Sequence, residues 1–167
     1  MTVSDHENDS KYFQSFFRAL RNEDELGMIV RAHIVLEYEL EQFTAAILPV
    51  PTELGKMEYS AKLRLAFACG LRTDVKGPLR ALGALRNKFA HRIGTTISES
   101  DADAFLASFG PKAREGIDFT NARAAEIPEM KDLKLSPKDR LGQYLAGLLG
   151  AVQTARLRAQ ASKSAVS

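Results

Sequence analysis

The chain has 167 residues, enough for one domain that buries a core without disulfides or metal ions. It is 45% hydrophobic and 26% charged, with a net charge of +2 and a single cysteine, which excludes an internal disulfide and a cysteine-based zinc site. No apolar stretch fits a signal sequence or a membrane span, so we expect a cytoplasmic protein that makes no membrane contact.

Helical periodicity runs through most of the chain. Apolar residues recur at spacings of three and four, and no segment alternates with a period of two. Polar or small residues make up both ends, which predicts disorder over 1–9 and 161–167 around a single helical domain over 10–160. The fold class is therefore predicted to be all-α.

Three helices are predicted in the N-terminal half. The first spans Lys11 to Arg21. Asn22, followed three residues later by Glu25, resembles a capping box that opens the second helix, which ends before Pro49. The third runs from about Glu58 to Cys69. The second helix carries an apolar stripe that is predicted to face either the core or a dimer seam, and it comprises Leu26, Ile29, His33, Leu36, Leu40, Phe43 and Ile47.

The C-terminal half is predicted to hold three or four more helices. One covers Lys76 to Arg92, and a short one is capped by Ser98. Another short helix is expected over Thr120 to Ala125, after a break at Pro111, and the last begins at Ser136. Six to seven helices with short connections predict an antiparallel bundle. We expect close helix approach at three glycines of the last helix, Gly142, Gly147 and Gly150.

Charge is unevenly distributed between two of these helices. The segment from Arg72 to Arg92 holds six basic residues and one acid, whereas Arg21 to Glu41 holds six acids and two basic residues, Arg21 and Arg31. Two interpretations are open. The segments either pack side by side with complementary fields, or the basic segment binds phosphate.

Polar residues also gather on one side of the basic helix. At 100° per residue, Arg80, Asn87 and His91 fall within about 60° of one another, opposite the apolar stripe. Arg86 lies about 140° away from His91. A straight helix therefore lets Asn87 and His91 touch but does not bring Arg86 to His91.

The flanks of this run resemble a known superfamily. Leu85 to Arg92, which reads Leu-Arg-Asn-Lys-Phe-Ala-His-Arg, resembles the Arg-Asn-x-x-x-His signature of the HEPN (higher eukaryotes and prokaryotes nucleotide-binding) superfamily. Lys62 to Leu71 is similar to a helix of the mannitol operon repressor family that ends in an apolar-Gly-apolar stop. Val35 to Glu41 is similar to that family's acidic second helix. The resemblance covers roughly Leu26 to His91 and implies a HEPN/mannitol-repressor-like bundle.

The narrower resemblance implies a regulator of sugar-operon expression. Such a protein is expected to form a homodimer and to act through a protein partner. The sequence contains no helix-turn-helix, basic zipper or zinc finger, so sequence-specific DNA binding is not expected. Neither a metal nor a cofactor is implied.

The wider resemblance implies the alternative, a metal-independent, toxin-like endoribonuclease with a composite Arg86/His91 site at a dimer interface. His91 would then move a proton at the 2′-hydroxyl or the leaving oxygen, Arg86 would stabilise charge on the phosphorane, and Asn87 would orient one of them. The RNA backbone would be held by Arg80, Lys88 and Arg92.

Two residues of the acidic helix could support that site. Glu37 lies one turn after His33 and is a candidate acidic companion for the catalytic residues. The same pair could equally be a satisfied buried pair with no catalytic role.

Overall fold

The computed structural model describes residues 22–49, 53–91, 94–125 and 134–164. The predicted first helix lies outside these residues. Within the described ranges there are six α-helices and two 3₁₀ turns, and no strand, so the predicted all-α bundle is confirmed. The helices are α1 (Glu25–Ile47), α2 (Tyr59–Ala68), α3 (Lys76–Ala90), α4 (Glu99–Ala107), α5 (Pro111–Ala125) and α6 (Pro137–Ser164).

The helix starts follow short-range capping chemistry. Ser98 forms the predicted capping box with Asp101 at the start of α4. At α6 the Ser136 hydroxyl accepts a hydrogen bond from the Asp139 amide (3.1 Å). The predicted cap at Asn22 is wrong, because Asp24 caps α1 by accepting from the Gly27 amide.

A left-handed glycine ends α2. Gly70 has a φ of +93°, and its amide donates to the Phe67 carbonyl, while the Leu71 amide donates to the Ala66 carbonyl. This pair of bonds is the Schellman arrangement, which glycine adopts without a Cβ penalty. The resulting turn leads the chain into α3.

The core lies between α1 and α6, with α2 and α3 packed on the other side of α1 and α4 packed on α6. Helical spacing predicts an apolar stripe on α3 and another on α6, and these members of the two stripes are buried: Leu79, Leu82, Leu85, Phe89, Leu141, Leu145, Leu148 and Val152. Of the other predicted members, Ala155 is half-buried and Ile93 lies outside the described residues. Burial of such side chains is the main stabilising term of the fold.

The two longest helices run parallel. Lys138 donates to the Glu23 carbonyl near the start of both helices, and Lys163 donates to the Ala45 carbonyl near the end of both. Because residue numbers rise together along the contact, α1 and α6 point the same way. The antiparallel arrangement predicted for neighbouring helices does not hold for this pair, which the chain connects through four intervening helices.

As a core stripe, the α1 prediction is wrong at both ends. Leu26 and Ile47 are exposed, whereas Ile29, Leu36 and Phe43 are buried. The helix also carries apolar residues on its opposite face, so spacing alone cannot decide which ones face the core.

The region after α4 and the end of α6 also differ from expectation. Pro111 does not merely break the chain but begins a 15-residue helix, α5, since proline needs no amide hydrogen bond in a first turn. The last helix continues to Ser164, so 161–164 are helical rather than disordered. A Cβ added at Gly142 or Gly147 would meet its nearest neighbour at 3.6 Å, an ordinary contact, so close approach does not explain these glycines.

Candidate functional site

A solvent-open groove of about 450 Å³ lies between α1, the start of α2 and α3. It brings residues of the acidic helix together with residues of the Arg-Asn-x-x-x-His run. His33 and Glu37 line it from α1, and Arg80, Arg86 and Asn87 line it from α3. Five of the predicted site residues therefore meet in one place.

His33 and Glu37 form the α1 wall. The His33 Nδ1 atom lies 3.5 Å from Glu37 Oε2, and the imidazole packs on the Tyr59 ring with centroids 4.3 Å apart. Burial lowers the pKa of His33, and the positive charges of Arg86 and Lys62 also lower it, against the opposing effect of Glu37. The imidazole is therefore neutral at neutral pH.

Lys62 fixes Glu37 from behind the groove. This ammonium is 5% exposed and lies 2.5 Å from Glu37 Oε1 and 2.6 Å from Glu41 Oε1. Burial alone lowers the pKa of Lys62, but hydrogen bonds and charge from the two carboxylates outweigh it and leave the pKa above its usual value. The lysine is thus a permanent counter-ion for two acids one turn apart.

Tyr59 forms the floor between the two walls. Its hydroxyl donates to the Leu79 carbonyl at 2.8 Å, and burial raises the pKa of this phenol well above its ordinary value. The ring fits against α3 because residue 83 is glycine, where an added Cβ would lie 3.1 Å from Tyr59 Cε1. Tyr59 therefore has a structural role, and its ring supports the imidazole of His33 at the groove.

Arg86 and Asn87 form the α3 wall together with Arg80. Arg86 Nη1 donates to Asn87 Oδ1 at 3.2 Å, and all three side chains are exposed. Within the described part of the chain, neither arginine is paired with a carboxylate. The guanidinium groups are therefore available to an anion that enters the groove.

His91 does not line the groove. It is the exposed C-cap residue of α3, and its amide donates to the Asn87 carbonyl at 3.3 Å. The lining of this groove in a single chain therefore includes Arg86 but not His91. The 140° separation expected from the sequence persists because α3 stays regular through Ala90.

Two other residues predicted to bind the RNA backbone are Lys88 and Arg92. Lys88 is bound to Asp101 of α4, at 2.7 Å and 2.8 Å from its two carboxylate oxygens, and so is not free for phosphate. Arg92 lies outside the described residues. Arg80, the third basic residue assigned to the RNA backbone, lines the groove.

The acidic residues of α1 at positions 37, 39 and 41 do not pair with the basic residues of α3. The helices α1 and α3 do pack together, but the acids of α1 are paired with other elements. Glu37 and Glu41 bind Lys62 of α2, and Glu39 binds Arg156 of α6 at 2.6 Å. This pairing leaves Arg80 and Arg86 without acidic partners in the described ranges.

Sequence reasoning did not identify the contribution of α2. Glu58, Tyr59 and Ser60 line the groove, but they precede and begin a helix whose apolar face was the only visible signal. Their position depends on how the chain returns from the end of α1, which no local pattern encodes. Gly83, which admits the Tyr59 ring, is likewise unremarkable in sequence.

The described residues show neither a metal site nor a membrane-spanning helix. Among the residues that the structure describes, no group of three or more His, Cys, Asp or Glu side chains is arranged to hold a metal ion. None of the described helices combines the length and apolar character needed to cross a membrane.

Comparisons with protein-family models, with curated proteins and with solved structures each give no match. The resemblance to the mannitol operon repressor family therefore stays a prediction from three sequence motifs. A function is therefore inferred from the chemistry of the described surfaces.

Proposed function

We propose that this chain is a helical regulator that acts through protein contacts, as a homodimer and with a further protein partner, rather than by reading DNA bases. The observation that supports this proposal is an exposed apolar stripe on α1, opposite the core. Ile34 is 61% exposed, Tyr38 51% and Leu26 45%, and the half-buried Val30 completes the stripe at spacings of four. Exposed apolar surface of this kind is typical of protein interaction sites.

The stripe is self-complementary. A second α1 laid antiparallel, with Ile34 on the twofold axis, would set Val30 against Tyr38. Such a pairing would bury the apolar side chains of the stripe. Tyrosine is among the residues enriched at the centres of interfaces.

The charge pattern of α3 argues against groove reading in DNA. Lys88 is held by Asp101, and Arg72 is held by Asp74. The arginines that remain, Arg80 and Arg86, face the groove beside α1 rather than an open helix surface. A recognition helix instead presents several unpaired side chains to base edges.

Sedimentation of Ile34→Glu against the parent tests the proposal. We expect a dimer for the parent and a monomer of unchanged helix content for the variant, because a carboxylate would be desolvated at the twofold axis. Ile47→Glu is the matched control, since Ile47 is also exposed but lies about 140° around α1 from Ile34. A monomeric parent, or equal dissociation of the two variants, would contradict the proposal.

A metal-independent ribonuclease is the second candidate function. The observation that favours it is the hydrogen-bonded pair of Arg86 and Asn87, which faces solvent without a competing carboxylate. Such a guanidinium could stabilise a developing phosphorane charge. Because His91 lies outside the groove of its own chain, the catalytic pair would have to form between two subunits.

RNA cleavage in the presence of a chelator tests this second candidate. The parent, Arg86→Ala and His91→Ala are incubated with structured and single-stranded RNA. Cleavage by the parent that is lost in both folded variants supports the nuclease. Absence of cleavage by the parent at every condition removes it.

A further inference from the structure

The groove has walls of opposite charge. On α3, Arg80 and Arg86 present guanidinium groups, and Asn87 adds an amide. On the facing side, Glu37 of α1 and Glu58 before α2 present carboxylates. A ligand that satisfies both walls must carry an anionic group at one end and hydrogen-bond donors at the other.

The α3 wall suits a phosphate group in particular. Guanidinium groups bind phosphate oxygens through paired N–H donors, and the Asn87 side-chain amide can supply a further donor. Since Arg86 lacks a carboxylate partner in the described ranges, an incoming phosphate displaces no existing ion pair. The hydrogen bond from Arg86 to Asn87 also holds the two donors side by side.

The opposite wall suits hydroxyl groups. A carboxylate accepts hydrogen bonds but cannot donate them, so Glu37 and Glu58 favour a ligand with several O–H donors. Lys62 holds Glu37 in place, so this acceptor is positioned before a ligand arrives. Ser60 adds a hydroxyl that can both donate and accept.

We propose that this groove binds a small phosphate monoester that carries several hydroxyl groups, with the phosphate on Arg86, Arg80 and Asn87 and the hydroxyls on Glu37 and Glu58. A volume of about 450 Å³ lies within the range of small-molecule sites. The inference is independent of the proposed dimer and of nuclease activity, since it requires one chain and no bond cleavage.

The site adjoins the apolar stripe. His33 and Glu37 line the groove, and their neighbours Ile34 and Tyr38 are the most exposed members of the stripe. A ligand bound to Glu37 therefore touches the same two turns of α1 that would contact a protein. Ligand binding and protein docking share one element of the fold.

Isothermal titration calorimetry on the full chain tests the proposal, with glucose 6-phosphate, inorganic phosphate and glucose as probes. We expect glucose 6-phosphate to bind at least tenfold more tightly than either of the other two, because it alone engages both walls. Arg86→Gln should weaken glucose 6-phosphate binding at least tenfold. Glu58→Gln should weaken glucose 6-phosphate but leave inorganic phosphate unchanged.

Matched control variants distinguish binding at the groove from a general effect of surface charge. Arg158→Gln removes an exposed arginine of α6 that does not line the groove, and it should bind like the parent. Circular dichroism checks that each variant folds. The proposal is overturned if glucose 6-phosphate gives no binding heat, if Arg158→Gln loses as much affinity as Arg86→Gln, or if a short single-stranded RNA binds more tightly than glucose 6-phosphate.

Discussion

Acidic residues lie on both sides of α1, but their surroundings differ. Towards α6, α1 contributes buried aliphatic side chains and one acid, Glu39, which is 2% exposed and bound to Arg156. Towards α2 and α3, it contributes His33 and Glu37, which remain partly open to solvent. The acids at 37, 39 and 41 thus divide between a sealed face and an open one.

The difference teaches where the fold tolerates polar groups. On the sealed face the ion pair of Glu39 and Arg156 lies among buried apolar side chains, where loss of one charge is costly for the other. On the open face, the carboxylates of Glu37 and Glu41 share one ammonium and keep part of their surface in water. A ligand can therefore bind to the carboxylates of the open face without unfolding the protein.

The largest expected effect lies on the sealed face. Leu145→Ala should reduce the free energy of unfolding by about 3 kcal/mol, because a fully buried side chain of α6 would leave a cavity. Chemical denaturation measures the change. Leu26→Ala, at an exposed position of α1, should cost about 0.5 kcal/mol or less, and equal losses in the two variants would refute the division of faces.

Lys62→Met should cost about 2 kcal/mol, less than the loss of a fully enclosed pair because Glu37 and Glu41 remain partly hydrated. Since the pKa of Lys62 is raised in the folded state, its contribution is present below the ordinary lysine pKa and is lost only as pH rises through the raised value. Lys56→Met is the control, because Lys56 pairs with Glu53 at the surface and should change stability little.

Local signals in the sequence located most of the helices but missed the first nine residues of α5, Pro111 to Phe119. The caps at Ser98 and Ser136 and the stripe of α3 were predicted correctly, because capping and period 3.6 depend on residues within a few positions. At α1 the same reasoning misassigned Leu26 and Ile47. Two apolar faces on one helix make its periodicity ambiguous.

The groove could be predicted only in part. Arg86, Asn87, His33 and Glu37 were identified as candidates on separate helices, but nothing local indicated that they would meet. Their convergence depends on the path from α1 to α2 and on the seating of the Tyr59 ring at Gly83. The position of His91 outside the groove likewise follows from the regular geometry of α3.

A pH titration of stability sharpens the comparison on the open side. The lowered pKa of His33 means that the unfolded chain takes up a proton, near pH 6.5, that the folded chain resists. Stability should therefore fall as pH drops from 7 to 5. His33→Gln should lose less stability than the parent over this interval, as chemical denaturation at each pH measures. His91→Gln leaves His33 in place, so this variant should still show the loss of stability that protonation of His33 causes.

The smallest effect lies on the outer side of α6. Gly147→Ala should stabilise the protein by about 0.5 to 1 kcal/mol, because alanine favours the helix and the added Cβ would lie 3.6 Å from Ile117 Cγ1. Gly77→Ala provides the contrast, since its Cβ would lie 1.9 Å from the Ser108 carbonyl oxygen and α3 would have to shift. Thermal unfolding distinguishes the two signs. A loss of stability in Gly147→Ala would mean that α6 is as tightly enclosed on its outer side as it is against α1.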